Sequence, residues 1–313
     1  MAYFSLLAGL VLLIVGGNAL VSGSVVLAKK WHVSPLLIGL LLVGFGTSMP
    51  ELMTSLVAVA RHSGGIAIGN VVGSNIANIL LVLGISAIIR PITIPVKSFG
   101  RDAIFLSVST VVLLIALLKG TIGFEMGALM CVTLAFYVYH AYQTDKRHQQ
   151  NITTVEPTAL SKRINFPTHI CVLLTCAGIV LTLWGAHVLV NSTVLIAGHL
   201  GIPEALIGLT IIALGTSLPE LTASVTASSR GHSDLAIGNV VGSNIYNALF
   251  ILGFTSLFMP VLAPPSMKGD VLIMTFATVL LLALGWFKGK ISRQMGIWFV
   301  VFYLTYIVWL GIH

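Results

Sequence analysis

The chain has 313 residues, of which 57% are hydrophobic and 8% charged. Soluble domains carry roughly 25% charged residues, so a soluble fold is excluded and a polytopic membrane protein is left. The net charge of +7 raises nucleic acid as a partner, but a net charge says little until its location is known.

The first stretch, "MAYFSLLAGLVLLIVGGNALV", has no basic leader and reads as a spanning helix rather than a cleaved signal. A span needs about 20 mostly apolar residues. On that ruler the first helix covers 4–26, and four more lie near 34–60, 66–89, 103–119 and 122–142. The polar run "QTDKRHQQNITTVEPTALSKRINF" marks a linker. Five further helices lie near 168–190, 202–228, 235–258, 270–286 and 290–311. The predicted fold class is all-α and polytopic, with ten transmembrane helices as two inverted five-helix repeats. The units are residues 1–142, a cytoplasmic linker over 143–167, and residues 168–313. Cys131, Cys171 and Cys176 lie in or beside apolar runs without metal-ligand spacing and read as buried thiols.

Of the 16 Lys and Arg residues, all but Arg61, Lys119 and Lys268 fall on one side of this layout. The positive-inside rule makes that side cytoplasmic and puts both termini outside. The expected setting is the inner (plasma) membrane, crossed many times. The basicity is then a topology signal, and no nucleic-acid partner is called for.

The halves are copies. At an offset of 169 positions "GTSMPEL" falls on "GTSLPEL", and "AIGNVVGSNIAN" (Ala67–Asn78) falls on "AIGNVVGSNIYN" (Ala236–Asn247). Five helices per half is an odd number, so the copies sit upside down relative to each other. Inverted repeats of this kind point to a secondary transporter with its site near the midplane.

Of nine acidic residues, only Glu51 and Glu220 fall deep inside predicted spans. A charge there costs about 2.5–3.5 kcal/mol on insertion scales unless it finds a partner or a wet cavity. No Lys or Arg lies at similar depth, so a cation is the expected partner. On a helix, Thr47, Ser48 and Ser55 share the face of Glu51. Pro50 cannot donate a backbone hydrogen bond, which frees carbonyls around Gly46 and Gly44. Thr216, Ser217, Pro219 and Glu220 repeat the device. The following helices carry polar stripes at four-residue steps: Asn70, Ser74 and Asn78, then Asn239, Ser243 and Asn247. Hard cations such as Ca²⁺ take 6–8 oxygen ligands, and the motifs hold no His or Cys, which disfavours soft metals.

Plainer roles stand beside these. Gly65, Gly69 and Gly73 form a small-residue series suited to close helix packing. Ser55 and Ser224 either join the site or bond back to their own helices. Arg61 and Arg230 read as interfacial anchors, and His187 as a polar helix contact rather than a proton relay.

The paired "GTSxPEL…GNVVGSN" blocks resemble the α-repeats of the calcium/cation antiporter superfamily, the sodium/calcium exchangers, and the ten-helix layout is similar to its prokaryotic members. The resemblance implies that Glu51 and Glu220 are the charged ligands of a transported cation. Thr47, Ser48, Ser74, Thr216, Ser217 and Ser243 would give hydroxyl or backbone oxygens, Gly44 and Ala213 carbonyls, and Asn78 a polar ligand. Archaeal-type members have an aspartate where this chain has Asn247, and animal-type members an asparagine, so this position bears on the counter-ion. The expected function is Na⁺/Ca²⁺ antiport by alternating access, with no enzymatic activity and no cofactor; Ca²⁺ and Na⁺ are cargo. H⁺/Ca²⁺ exchange is the alternative, because a carboxylate taken out of water favours its protonated form. A channel suits two midplane charge clusters less well, and an intramembrane hydrolase lacks its second constellation, such as H-E-x-x-H.

Overall fold

The computed structural model describes residues 2–151, 167–199, 213–264 and 267–312. The chain opens with α1 (Ala2–Lys30). The second span is broken into α2 (Pro35–Ile38), a π-turn (Gly39–Val43), α3 (Gly44–Thr47) and α4 (Met49–Ala60). Its two parts meet at 43°. The break falls at Ser48, with φ −83° and ψ 8°, where Pro50 denies the Gly46 carbonyl its helical partner.

The third span joins α5 (Gly64–Ala77), a π-turn (Asn78–Val82) and α6 (Leu83–Ile89). The two-residue strand β1 (Ile92–Thr93), α7 (Val96–Leu118), β2 (Thr121–Ile122) and α8 (Phe124–Asn151) complete the first half.

In the second half, α9 (Thr168–His199) is followed by α10 (Ala213–Thr216) and α11 (Leu218–Ser229), which part at Ser217 as α3 and α4 part at Ser48. Then come α12 (Ser233–Ile245), a π-turn (Tyr246–Ile251), α13 (Leu252–Phe258), β3 (Val261–Leu262), α14 (Lys268–Phe287), β4 (Lys290–Ile291) and α15 (Arg293–Ile312).

Among the described residues eight helices are long and apolar enough to cross a membrane, nine if the bent pair counts as one span. Of the expected span 202–228, only the part from Ala213 onward lies within the described residues. At 1.5 Å per residue the 29 residues of α1 and the 32 of α9 reach roughly 43 and 48 Å. Both exceed a hydrocarbon core of about 30 Å, so helices this long tilt or project from it. Sequence hydropathy marked the interior of α1, over 4–26, and only the first part of α9, over 168–190.

The two long helices run antiparallel, seamed by small residues. A Cβ on Gly9 would lie 2.7 Å from the Leu189 backbone nitrogen, and one on Gly16 equally close to that of Thr182. Gly23 meets Thr175 in the same series. The spans of α5–α6 and α12–α13 form the interior, 72% and 94% buried, against 33% or less for the other long helices.

The strands were not foreseen. β1 pairs with β4 (Ile92 with Ile291) and β2 with β3 (Thr121 with Leu262), both antiparallel. Shifting one pair by 169 positions yields the other.

None of the three cysteines forms a disulfide. Cys171 is buried as expected, Cys131 is half-buried, and Cys176 is exposed on α9. In an apolar solvent a thiol on a helix's outer face costs little, so burial was the wrong expectation for Cys176.

Candidate functional site

Why α2–α4 can approach α12 closely is a matter of spacing. Gly39 and Gly44 are five residues apart, and the π-turn between them brings both onto one face. A Cβ on Gly39 would lie 2.6 Å from the Leu235 carbonyl, and one on Gly44 3.0 Å from the Ser243 nitrogen. From the other side Gly238 and Gly242 abut the backbones of Leu36 and Leu40. The packing role expected of Gly65, Gly69 and Gly73 is thus carried at backbone contact by Gly238 and Gly242, the counterparts of Gly69 and Gly73, while the counterpart of Gly65 is Asp234. Among the described residues Gly65 and Gly69 meet side chains, those of Pro264 and Met267.

At this crossing Glu51 and Glu220 are both 0% exposed, with Thr47, Ser48, Ser55, Ser74, Ser217, Ser224 and Ser243 buried nearby on the same motifs. The hydroxyls are shared across the halves. Ser48 Oγ donates to Glu220 Oε1 at 3.0 Å, and Thr47 and Ser243 flank the same carboxylate. Thr216 and Ser74 flank Glu51. Helical spacing put Ser48 on the face of Glu51; the bend at Ser48 instead turns its hydroxyl toward the other half's glutamate.

Each glutamate is held through its backbone by an asparagine. Asn70 Nδ2 donates to the Glu51 carbonyl and to Ser55 Oγ, both at 3.0 Å. Asn239 Nδ2 donates to the Glu220 carbonyl at 3.2 Å and to Ser224 Oγ at 2.8 Å. Ser55 and Ser224 therefore tie each bent span to its neighbour.

Asn75 and Asn244, which sequence reasoning passed over, mark the centre. Each donates its amide to the other's backbone carbonyl at 3.4 Å, the reciprocity of a twofold axis. Their repetition in both "GSNI" blocks was the available signal. Asn78 Nδ2 donates to Asn244 Oδ1 at 3.1 Å, so its own Oδ1 is left buried without a partner among the described residues. Both amide atoms of Asn247 are also buried without one. The π-turns begin at Asn78 and one residue before Asn247; such bulges occur frequently at functional sites.

The Gly44 carbonyl lies 3.4 Å from Ser243 Oγ. Ala213 opens α10 at the edge of the described residues. Both Glu51 oxygens, Glu220 Oε2 and Ser217 Oγ are buried without hydrogen-bond partners among the described residues. The one ion pair among those residues, Arg101 with Asp102, lies elsewhere. They also contain no group of three or more His, Cys, Asp or Glu suited to a metal. The centre is therefore two carboxylates among neutral oxygens, a donor set matched to hard cations.

Two further polar residues have contacts outside the centre. Arg230 reaches α1, donating to Ser22 Oγ at 2.7 Å and to Asn18 Oδ1, so it joins helices rather than only anchoring at the interface. His187 Nε2 lies 3.0 Å from Asn191 Nδ2 one turn on, a contact within its own helix.

A multi-pass helical protein with paired acidic groups sealed inside duplicated, bent spans has the makings of an ion-coupled transporter. Residues 1–143 and 170–311 match the sequence pattern of the family described as "Sodium/calcium exchanger protein". The chain is 32% identical to the sodium/calcium exchanger MaX1 of Methanosarcina acetivorans, covering 98% of this chain and 97% of that protein. It is also 32% identical to inner membrane protein YrbG of Escherichia coli, covering 98% and 94%. The structure of the sodium-calcium exchanger NCX_Mj soaked with 2.5 mM Na⁺ and 0.1 mM Ca²⁺ superposes with a TM-score of 0.84 at 31% identity, covering 98% and 97%. The chain belongs to the sodium/calcium exchanger family. It is a cation antiporter, of a family of exchangers rather than of catalytic enzymes.

Proposed function

We propose that this antiporter trades Ca²⁺ for Na⁺ by alternating access to one central site. The observation that carries the reading is the burial of two carboxylates with no basic partner among the described residues. Uncompensated buried charge is too costly to keep, and a divalent cation cancels two carboxylates. Glu51 and Glu220 supply the charge in this reading. Thr47, Ser48, Ser74, Thr216, Ser217 and Ser243 give hydroxyl or backbone oxygens, and Gly44 and Ala213 carbonyls. Asn78 is oriented by Asn244 to offer its oxygen, and Asn247 completes the set. Sodium ions fill the same oxygens, so the two cargoes exclude each other.

The antiparallel packing of α1 on α9 and the exchanged strand pairs support reading the halves as inverted copies of five helices. The distribution of basic residues supports placing both termini outside. A cysteine placed after Ile312 in a thiol-free version should react with an impermeant reagent from outside, and one between Lys146 and Lys162 should not; the opposite pattern reverses the topology.

The counter-ion is tested in sealed vesicles with Na⁺, pH and voltage gradients imposed separately. With Asn at 247 the site holds two titratable groups. One Ca²⁺ leaves it neutral, three Na⁺ leave it one charge positive, and two protons leave it neutral. Sodium-dependent Ca²⁺ flux that responds to membrane potential is expected. Flux that follows a pH gradient and ignores Na⁺ would replace this reading with H⁺/Ca²⁺ exchange. Asn247→Asp adds a third carboxylate for protons to contest, so that variant should be more sensitive to acid than the parent. An unchanged pH profile would put Asn247 outside the site.

A further inference from the structure

A cavity of about 290 Å³ leads away from Ser74 and Thr216, the hydroxyl neighbours of Glu51. Gly69 and Gly73 also line it, together with Met267, Asp270 and Tyr306. Asp270 lies in the first turn of α14, at the end of a membrane-crossing helix. Among the described residues lining the cavity it is the only acidic one.

Tyr306, 8% exposed, donates its hydroxyl to Asp270 Oδ1 at 2.8 Å. The nearest basic residue in sequence, Lys268, is exposed and lines a separate groove with Leu114 and Ala263. The central site's own ligands leave this pair without a role.

On the antiporter reading above, we propose that Asp270 is an outer capture site for the transported divalent cation, with the Tyr306 hydrogen bond serving only to tie α14 to α15 beside it. One carboxylate at the mouth of a low-dielectric cleft concentrates the local field and the cations within it. A divalent ion feels that field twice over. A single carboxylate also holds the ion more loosely than the two at the centre, so passage inward is downhill.

The pair gives a clean separation of charge from scaffold. Asp270→Asn removes the charge but can still accept the Tyr306 hydrogen bond, so the tie between α14 and α15 survives. Tyr306→Phe breaks that tie and keeps the charge.

Ca²⁺ uptake is measured with the full chain in proteoliposomes, titrating Ca²⁺ on each face in turn. For Asp270→Asn the half-saturating Ca²⁺ on the Asp270 face should rise about three- to tenfold at low ionic strength. The rise should fade toward parity as salt shortens the Debye length to about 3 Å at 1 M. Half-saturation on the opposite face should stay at the parent value, and Tyr306→Phe should stay close to the parent on both. Three results would overturn the proposal: unchanged half-saturation in Asp270→Asn, an equal rise on both faces, or a Tyr306→Phe variant as impaired as Asp270→Asn. A parent that moves no Ca²⁺ at all would take down the antiporter reading and Asp270 with it. A transporting parent with an unaffected Asp270→Asn variant removes Asp270 alone.

Discussion

Glu51→Gln and Glu220→Gln should each abolish Ca²⁺ exchange while leaving a folded, monodisperse protein. Both side chains are fully buried, and glutamine keeps their volume while halving the charge of the centre. Two unit charges 4 Å apart interact by about 4 kcal/mol at an effective dielectric of 20, and a divalent ion doubles that. The loss therefore exceeds roughly a thousandfold in affinity, beyond what the remaining neutral oxygens recover. The amide would also turn a donor toward the cation. Ca²⁺ uptake into proteoliposomes reads the effect, with thermal unfolding as the control. Parent-like flux in either variant would remove that glutamate from the site.

The second large effect is expected at a residue with no chemistry of its own. In Gly242→Ala the new methyl would fall 2.6 Å from the Leu40 carbonyl and 2.8 Å from its Cα. Backbone cannot swing aside as a side chain can, so α12 must move off the second span. Overpacking of this kind costs about 1–3 kcal/mol. The displacement lands on the site itself, because Ser243 is the next residue and Gly44 faces it. A lower unfolding temperature and a severe loss of flux are expected together. Gly100→Ala is the matched control, since beyond its chain neighbours and its own helix backbone no described atom lies within 4 Å of its Cβ. A Gly242→Ala protein with parent stability would mean that the two spans are not in fixed contact.

Much of this was legible in the sequence because the chain states it twice. The duplicated blocks exposed Glu51 and Glu220, and hydropathy at a period of one span located the helices. Proline chemistry then foretold the break beside Ser48. Other features had no such signal. A π-turn inserts one residue per turn without changing composition, so nothing in "GLLLV" announces that Gly39 and Gly44 share a face. Two-residue strands are too short for an alternating pattern, and "IT" or "TI" looks like the flank of an apolar helix. The reach of Ser48 to Glu220 depends on how two distant spans cross, which helical spacing within one span does not contain. Asp270 was overlooked for a simpler reason: it sits at the end of an apolar run, where a charge is ordinary.

The short strands carry a last consequence. Each half lends an edge to the other, β1 to β4 and β2 to β3, and the two exchanges are images of one another. Among assemblies this is the rule of an isologous dimer, in which one patch meets its mate and the mate meets the patch. Here that dimer is written into one chain. A half on its own would leave Ile92–Thr93 and Thr121–Ile122 with unpaired backbone groups, the kind of edge that proteins cover. The halves are thus obligate partners rather than self-sufficient domains. Folding is expected to be complete only when both are present.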